Sequence, residues 1–299
     1  MSNDEPLLFE ISNSGARAER FPACDVPEVP ADKLLGAANV SAAPPPLPEV
    51  DELTLMRHFT RLSRQNFSVD THFYPLGSCT MKYNPRVNER AAAMPGFGAL
   101  HPHQHEDHIQ GMLELQYSVA EQLREISGLD AVSLQPAAGA HGEMTGLMVI
   151  LALLADKGET RTRVLIPDNA HGTNPASCTI CGLKTVQVGS DSGGMVDLSD
   201  MDRKIDQVHA EGDKIAAMMI TNPNTLGLFD RNIEKIARKL HDIGARLYLD
   251  GANMNAILGI TRPGDFGVDV MHYNTHKTFS TPHGCGGPGA GPIAVRKDL

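Results

Sequence analysis

From residue 106 onward the chain alternates short apolar runs with longer stretches of helical periodicity. No other feature narrows the available folds as far. AVSL, RVLIP, KTVQV, IAAMMI, RLYLD and DVMHY read as strands, and GPIAVR near the end as another. Among them EDHIQGMLELQYSVAEQLREISG (106–128), MTGLMVILALLADKG and NIEKIARKLHDIG place apolar residues at helical spacing, and each stops at a glycine. Strands alternating with helices predict an α/β fold, a mostly parallel sheet with helices on both faces. Such sheets bind ligands beyond the carboxyl ends of their strands. The residues just after these runs are therefore the ones to inspect.

The rest of the chain divides by composition. Residues 1–50 contain FPACDVPEVP and SAAPPPLPEV, whose prolines remove backbone donors and fix φ, so an extended arm is expected. Residues 51–105 begin with the helical pattern DELTLMRHFTRLSRQN and continue through the turn-rich THFYPLGSCTMKYNP. Residues 106–299 form the α/β domain. A net charge of −10 over 299 residues argues against a general binder of nucleic acid or anionic membrane. The longest apolar run, LMVILALLA, is too short to span a bilayer, and the N-terminus lacks the pattern of a secretion signal. Five cysteines, an odd number, suit reduced thiols, so a cytoplasmic location is expected.

The strand ends carry a recurring kind of residue. After AVSL, QPAAGAHGE reads as a loop leading into a helix, and its Ala138-Gly139-Ala140 offers small side chains, which let backbone N–H groups approach a phosphate. After RVLIP, His171 sits in a Gly/Asn/Pro loop, where an imidazole can stack on a flat ring or simply bond backbone carbonyls. After IAAMMI, TNPNTLG brings Asn222 and Thr225, an amide and a hydroxyl able to reach a ring substituent. Asp250 ends the apolar run RLYL, where a carboxylate is costly unless paired. Lys277 follows DVMHY, beside His276, and precedes a segment of glycine, proline and small polar residues. Pyridoxal 5'-phosphate needs these parts together: a lysine for a Schiff base, an acid for the pyridinium nitrogen and a phosphate cradle.

Six stretches carry a more specific signal. FYPLGSCTMKYNP, LQPAAGAHGE, IPDNAHGTNPAS, TNPNTLGLF, YLDGANMNAI and NTHKTFSTPHGCGGPGAGP, in this order, resemble the glycine-cleavage P-protein family. The whole chain resembles its C-terminal half, or subunit 2 of the two-subunit form. The resemblance implies the aspartate-aminotransferase type of fold (pyridoxal-phosphate fold type I). It implies Lys277 as the Schiff-base lysine, Asp250 on the pyridinium, His171 stacked on the ring and Ala138-Gly139-Ala140 at the phosphate. His276, Asn222 and Thr225 would be further cofactor contacts. Implied with them are glycine decarboxylation, transfer of the aminomethyl group to the lipoyl arm of H-protein, and a hetero-oligomer with P-protein subunit 1. The family continues with a small C-terminal domain, so a truncated subunit 2 is expected.

Other readings compete at single points. HPHQHEDH (101–108) has His and acidic residues spaced for a divalent metal, against a surface run. CTIC (178–181) has zinc or redox spacing without a second pair, against buried thiols. Cys285 stands where the family tends to have glycine, and Lys82 is the rival lysine. A non-catalytic P-protein-like subunit or another pyridoxal-phosphate enzyme are the alternative functions.

Overall fold

The computed structural model describes residues 4–18, 22–68, 70–72, 83–281 and 289–299. Lys82, His283, Gly284, Cys285, Gly286 and Gly287 lie outside them, as does most of the FYPLGSCTMKYNP stretch. Two compact units divide the chain, Met1–Tyr74 and Pro75–Leu299. The first contains α1 (Ala31–Leu35) and α2 (Glu52–Arg64). Asp51 caps α2 by accepting from the Thr54 amide at 2.9 Å. Within the same unit Glu5 accepts two bonds from Arg61 and lies 3.1 Å from His58, which fastens the start of the arm to α2.

The second unit opens with α3 (Arg86–Ala92), α4 (Pro95–Gly98) and α5 (Gln110–Ser127), the last ending on left-handed Gly128. Seven strands then form one sheet: β1 (Ala131–Ser133), β2 (Arg163–Pro167), β3 (Lys184–Val188), β4 (Ile215–Thr221), β5 (Arg246–Gly251), β6 (Val270–Tyr273) and β7 (Ile293–Val295). Their spatial order is β1-β7-β6-β5-β4-β2-β3. Every pairing is parallel except the two made by β7, which runs antiparallel between β1 and β6. The connecting helices are α6 (Gly139–Asp156), α7 (Thr173–Ile180), α8 (Leu198–Ala210) and α9 (Ile233–Asp242), with a single turn, α10 (Thr275–Thr278), after β6.

The expected α/β architecture is present, and each strand read from sequence is found within a residue or two of its expected bounds. Two differences stand out. The loop expected over QPAAGAHGE is helical from Gly139 onward. Helix α8 had no counterpart in the sequence reading, although Met201, Ile205 and Val208 bury one face and Asp197 caps its start.

The period of two along each strand sends alternate side chains to opposite layers. Met218, Ile220, Leu247, Leu249 and Met271 meet α5, α8 and α9 on one face. Ala217, Met219, Tyr248 and Val270 meet α6 and α7 on the other. Helix α6 comes close enough to touch Tyr248 at Gly146. The same alternation places Asp250 and His272 on the α6/α7 face, where the apolar layer gives way to polar groups.

Candidate active site

Because β1, β2, β4, β5 and β6 all point one way, their carboxyl ends share an edge. The topology gathers there Ala138–Ala140 after β1, His171 after β2, Asn222 after β4, Asp250 at the end of β5, and His276 and Lys277 after β6. Residues far apart in sequence become neighbours through strand order.

Asp250 is the electrostatic centre. It is only 3% exposed, and its carboxylate has a partner for each lone-pair position. Oδ1 lies 3.1 Å from His272 Nε2 and accepts from the Ala252 amide at 2.9 Å. Oδ2 accepts from Asn174 Nδ2 at 3.2 Å and from the Thr221 hydroxyl at 3.3 Å. Burial alone would raise its pKa, but the charge and hydrogen bond of His272, with the donors Asn174 and Ala252, hold the carboxyl well below the usual range. An ionised acceptor thus waits at the strand end.

A second buried carboxylate lies beside it. Glu143, on the inward face of α6, accepts from the Ser177 hydroxyl at 3.0 Å and from Asn174 Nδ2 at 3.2 Å. Asn174 therefore donates to both acids, and its own Oδ1 has no partner among the described residues. On the other side of Asp250, His272 Nδ1 is 2.9 Å from the Tyr248 hydroxyl. Burial pushes the Tyr248 phenol well above its ordinary value, with the Asp250 and Glu143 charges adding to it. Glu143, Asn174, Ser177, Thr221, Tyr248 and His272 were all missed from sequence. Their signal was available in part: Tyr248 and Asp250 are two apart on one strand, and Val270 and His272 repeat that spacing next door.

The first-turn N–H groups of α6, like those of any α-helix, have no intrahelical acceptor, and no N-cap side chain takes one up. A Cβ built on Gly139 would lie 2.1 Å from Asn274 Oδ1, so only glycine lets the helix start pass this close to the Lys277 segment. Lys277 is half-buried, and its amide donates to the Asn274 carbonyl at 2.8 Å. His276 packs against Gly289. These features fit an aromatic aldehyde phosphate: thin uncapped backbone for the anion, a buried ionised acceptor for a cationic ring nitrogen, and a lysine one strand away.

The remaining residues of the expected set serve the loops around this edge. His171 is exposed, and its Nδ1 accepts from the Thr173 amide at 3.2 Å, which places the ring proton on Nε2. Asn222 is buried; its Oδ1 accepts from the Asp230 amide at 2.9 Å and its Nδ2 donates to the Asp230 carbonyl. Thr225 is exposed and donates to the Asn169 carbonyl, two residues before His171.

The competing signals separate. His101, His103, His105 and His108 are all exposed, and His105 pairs with Asp107 at 3.4 Å. Among the described residues, three metal-ligand atoms converge only at Glu143, Asp250 and His272. Cys178 and Cys181 are free thiols, and burial, reinforced by Cys181 and Glu143, pushes Cys178 up to about 12. Such a thiol is protonated at neutral pH and a poor nucleophile.

Comparison with known proteins decides the family. A model described as the glycine cleavage system P-protein matches residues 26–299. The chain belongs to the glycine cleavage system P-protein family. It is 60% identical over 293 residues to the probable glycine dehydrogenase (decarboxylating) subunit 2 of Rhodopirellula baltica, covering 98% of this chain and 57% of that protein. The corresponding protein of Bacillus licheniformis is 54% identical, with 100% and 60% covered. The chain thus spans somewhat over half the length of these P-protein relatives. A crystal structure of glycine decarboxylase (P-protein) in inhibitor-bound form superposes with a TM-score of 0.69 at 25% identity, over 89% of this chain and 57% of that one. The glutamate decarboxylase domain of a Vibrio parahaemolyticus protein shares the fold, with a TM-score of 0.65 at 18% identity over 96% and 63%. The sheet and its helices are therefore those of the P-protein and of pyridoxal-phosphate fold type I.

Proposed function

We propose that this chain carries the pyridoxal-phosphate site for glycine decarboxylation, with transfer of the aminomethyl group to the lipoyl arm of H-protein. The observation that supports it most is Asp250, a buried carboxylate held ionised at the end of β5, on the same sheet edge as the α6 N-terminus and Lys277. When bound, pyridoxal phosphate supplies an electron sink for the carbon that loses carbon dioxide.

The chain's own residues divide the work. Lys277 would supply the amine that holds the cofactor covalently. Asp250 pairs with the pyridinium nitrogen and keeps its proton in place. The amides of the Ala138-Gly139-Ala140 turn bind the phosphate, with positive helix dipole behind them. His171, steadied by Thr173, stacks on the ring, and His276 adds a contact beside the lysine. Asn222 and Thr225 act at the ring's substituents or, through the bonds they already make, by fixing the loop that faces it.

The Thr221 hydroxyl makes the longest of the four contacts to Asp250, at 3.3 Å, and a pyridinium N–H would compete with it for Oδ2. Leu115 and Tyr117 are exposed on α5, which favours a covering partner such as P-protein subunit 1 in a hetero-oligomer. No helix among the described residues is long and apolar enough to cross a membrane. Reduced thiols favour the cytoplasm.

The test is borohydride reduction of the full chain after adding pyridoxal phosphate, followed by peptide mapping. Modification confined to Lys277, abolished in Lys277→Ala and weakened in Asp250→Asn, is expected. Scattered labelling that persists with subunit 1 present would sink the catalytic reading in favour of a structural subunit.

A further inference from the structure

Asp250 is part of a longer buried chain of groups. The period of β5 puts Tyr248 on its face, and parallel register sets His272 of β6 directly beside Asp250. The His272 ring is wholly buried, with Nε2 3.1 Å from Asp250 Oδ1 and Nδ1 2.9 Å from the Tyr248 hydroxyl. That hydroxyl is in turn 3.2 Å from the Gly142 carbonyl of α6. The other titratable groups facing this cluster are Glu143 from α6, Cys178 from α7 and Cys181 at the end of α7. Among the described residues no lysine or arginine pairs with either carboxylate.

Proton placement follows from who can donate. An ionised carboxylate only accepts, so Nε2 must carry a hydrogen for the 3.1 Å contact to attract. Asn274 Nδ2 lies 3.3 Å from the same nitrogen, but it is farther and uncharged. The Tyr248 hydroxyl has one hydrogen and two neighbours, Nδ1 and the Gly142 carbonyl. Whichever it serves, the Nε2 side stays turned to Asp250. With both nitrogens bonded, the ring cannot flip without breaking two contacts. A metal on Glu143, Asp250 and His272 fits less well. Their ligand atoms lie within 4.8 Å of one another, yet Asn174 Nδ2 already aims its hydrogens at both carboxylates.

We propose that His272 is the positioning residue for Asp250, locked in turn by Tyr248. It fixes the carboxylate's orientation and keeps it ready to receive a cationic ring nitrogen. The identity of that cation rests on the pyridoxal-phosphate reading above, whereas the relay itself does not.

The experiment has two arms on the full chain. The first is NMR of nitrogen-15-histidine-labelled protein without added cofactor, His272 being identified by the resonance lost in His272→Gln or moved in Tyr248→Phe. Nε2 is expected to remain an N–H at every pH where the protein is folded, and to move by several ppm in Asp250→Asn. A ring that loses its Nε2 hydrogen, or ignores Asp250→Asn, overturns the proposal.

The second arm is a pyridoxal-phosphate titration read by absorbance. His272→Gln should weaken retention about tenfold and alter the pH profile of the cofactor's absorbance, as removal of an outer partner commonly does. Tyr248→Phe should act in the same direction by less, with unchanged circular dichroism. Unchanged retention and pH profile in both variants overturns the proposal even if Lys277 is labelled. Failure of the unsubstituted chain to take up cofactor would count against the cofactor reading, and the first arm would still decide the relay.

Discussion

At the scale of single residues, the site depends on how a carboxylate survives burial. A lone buried carboxylate costs several kcal/mol, and Asp250 offsets this with four donors that differ in consequence. The Thr221 hydroxyl makes the longest of these contacts and is uncharged, so Thr221→Val should change cofactor retention by no more than about threefold. Asp250→Asn removes the charge and should reduce retention at least about tenfold. Equilibrium dialysis of the two variants checks this, and equal losses would show that the hydroxyl is an obligatory support. Residue identity singled out Asp250 and Lys277 as candidates from sequence, because an acid ending an apolar strand and a lysine before a glycine-rich segment are unusual in themselves, whereas His171 alone read equally as a loop histidine. His272 and Tyr248 were not singled out. A histidine within DVMHY looks like any strand residue until the parallel register sets it opposite Asp250, and register is a pairing between distant segments.

At the scale of elements, α6 joins the strand-end edge of the sheet to the core. Its buried stripe runs through Gly142, Glu143, Gly146, Leu147, Ile150 and Leu154. The glycines explain why the helix start read as a loop: they lower helix propensity but permit contact with the sheet. A Cβ on Gly146 would lie 2.4 Å from Tyr248 Cε2 and 2.9 Å from Val270 Cγ1. Propensity favours alanine there by roughly 1 kcal/mol. The clash with a ring that also anchors His272 outweighs it, so Gly146→Ala should destabilise by about 1–3 kcal/mol in urea unfolding. Stabilisation instead would mean that α6 sits farther from the sheet than described. The strands themselves were legible because β-branched and apolar runs bounded by turn residues leave few alternatives. Helix α8 was not read because its first turns are dominated by charged residues, although its apolar spacing is regular.

At the scale of the whole molecule, the sheet is braced at its opposite edge by ionised side chains. Asp213 accepts from the Thr162 hydroxyl, from the Lys214 amide at 2.7 Å and from Arg163 Nε at 3.0 Å. The Thr162 bond, with those from Lys214 and Arg163, outweighs its partial burial and lowers the carboxyl to about 2. Asp250 is depressed as well, through His272 and its amide donors. For an acid whose folded pKa lies below its unfolded value, the folded state binds fewer protons than the unfolded chain. Its stabilisation is complete above the unfolded pKa, near 4, and drains away as pH falls through the folded one. Thermal midpoints of the chain should therefore hold steady from neutrality to about pH 5 and fall between roughly pH 4 and 2. Asp213→Asn should cost about 1–2 kcal/mol at pH 7 and flatten part of that acid limb, because the variant has one fewer proton to take up. An acid limb as steep in Asp213→Asn as in the unsubstituted protein would assign the loss to other groups, with Asp250 and its imidazole partner the next pair to substitute.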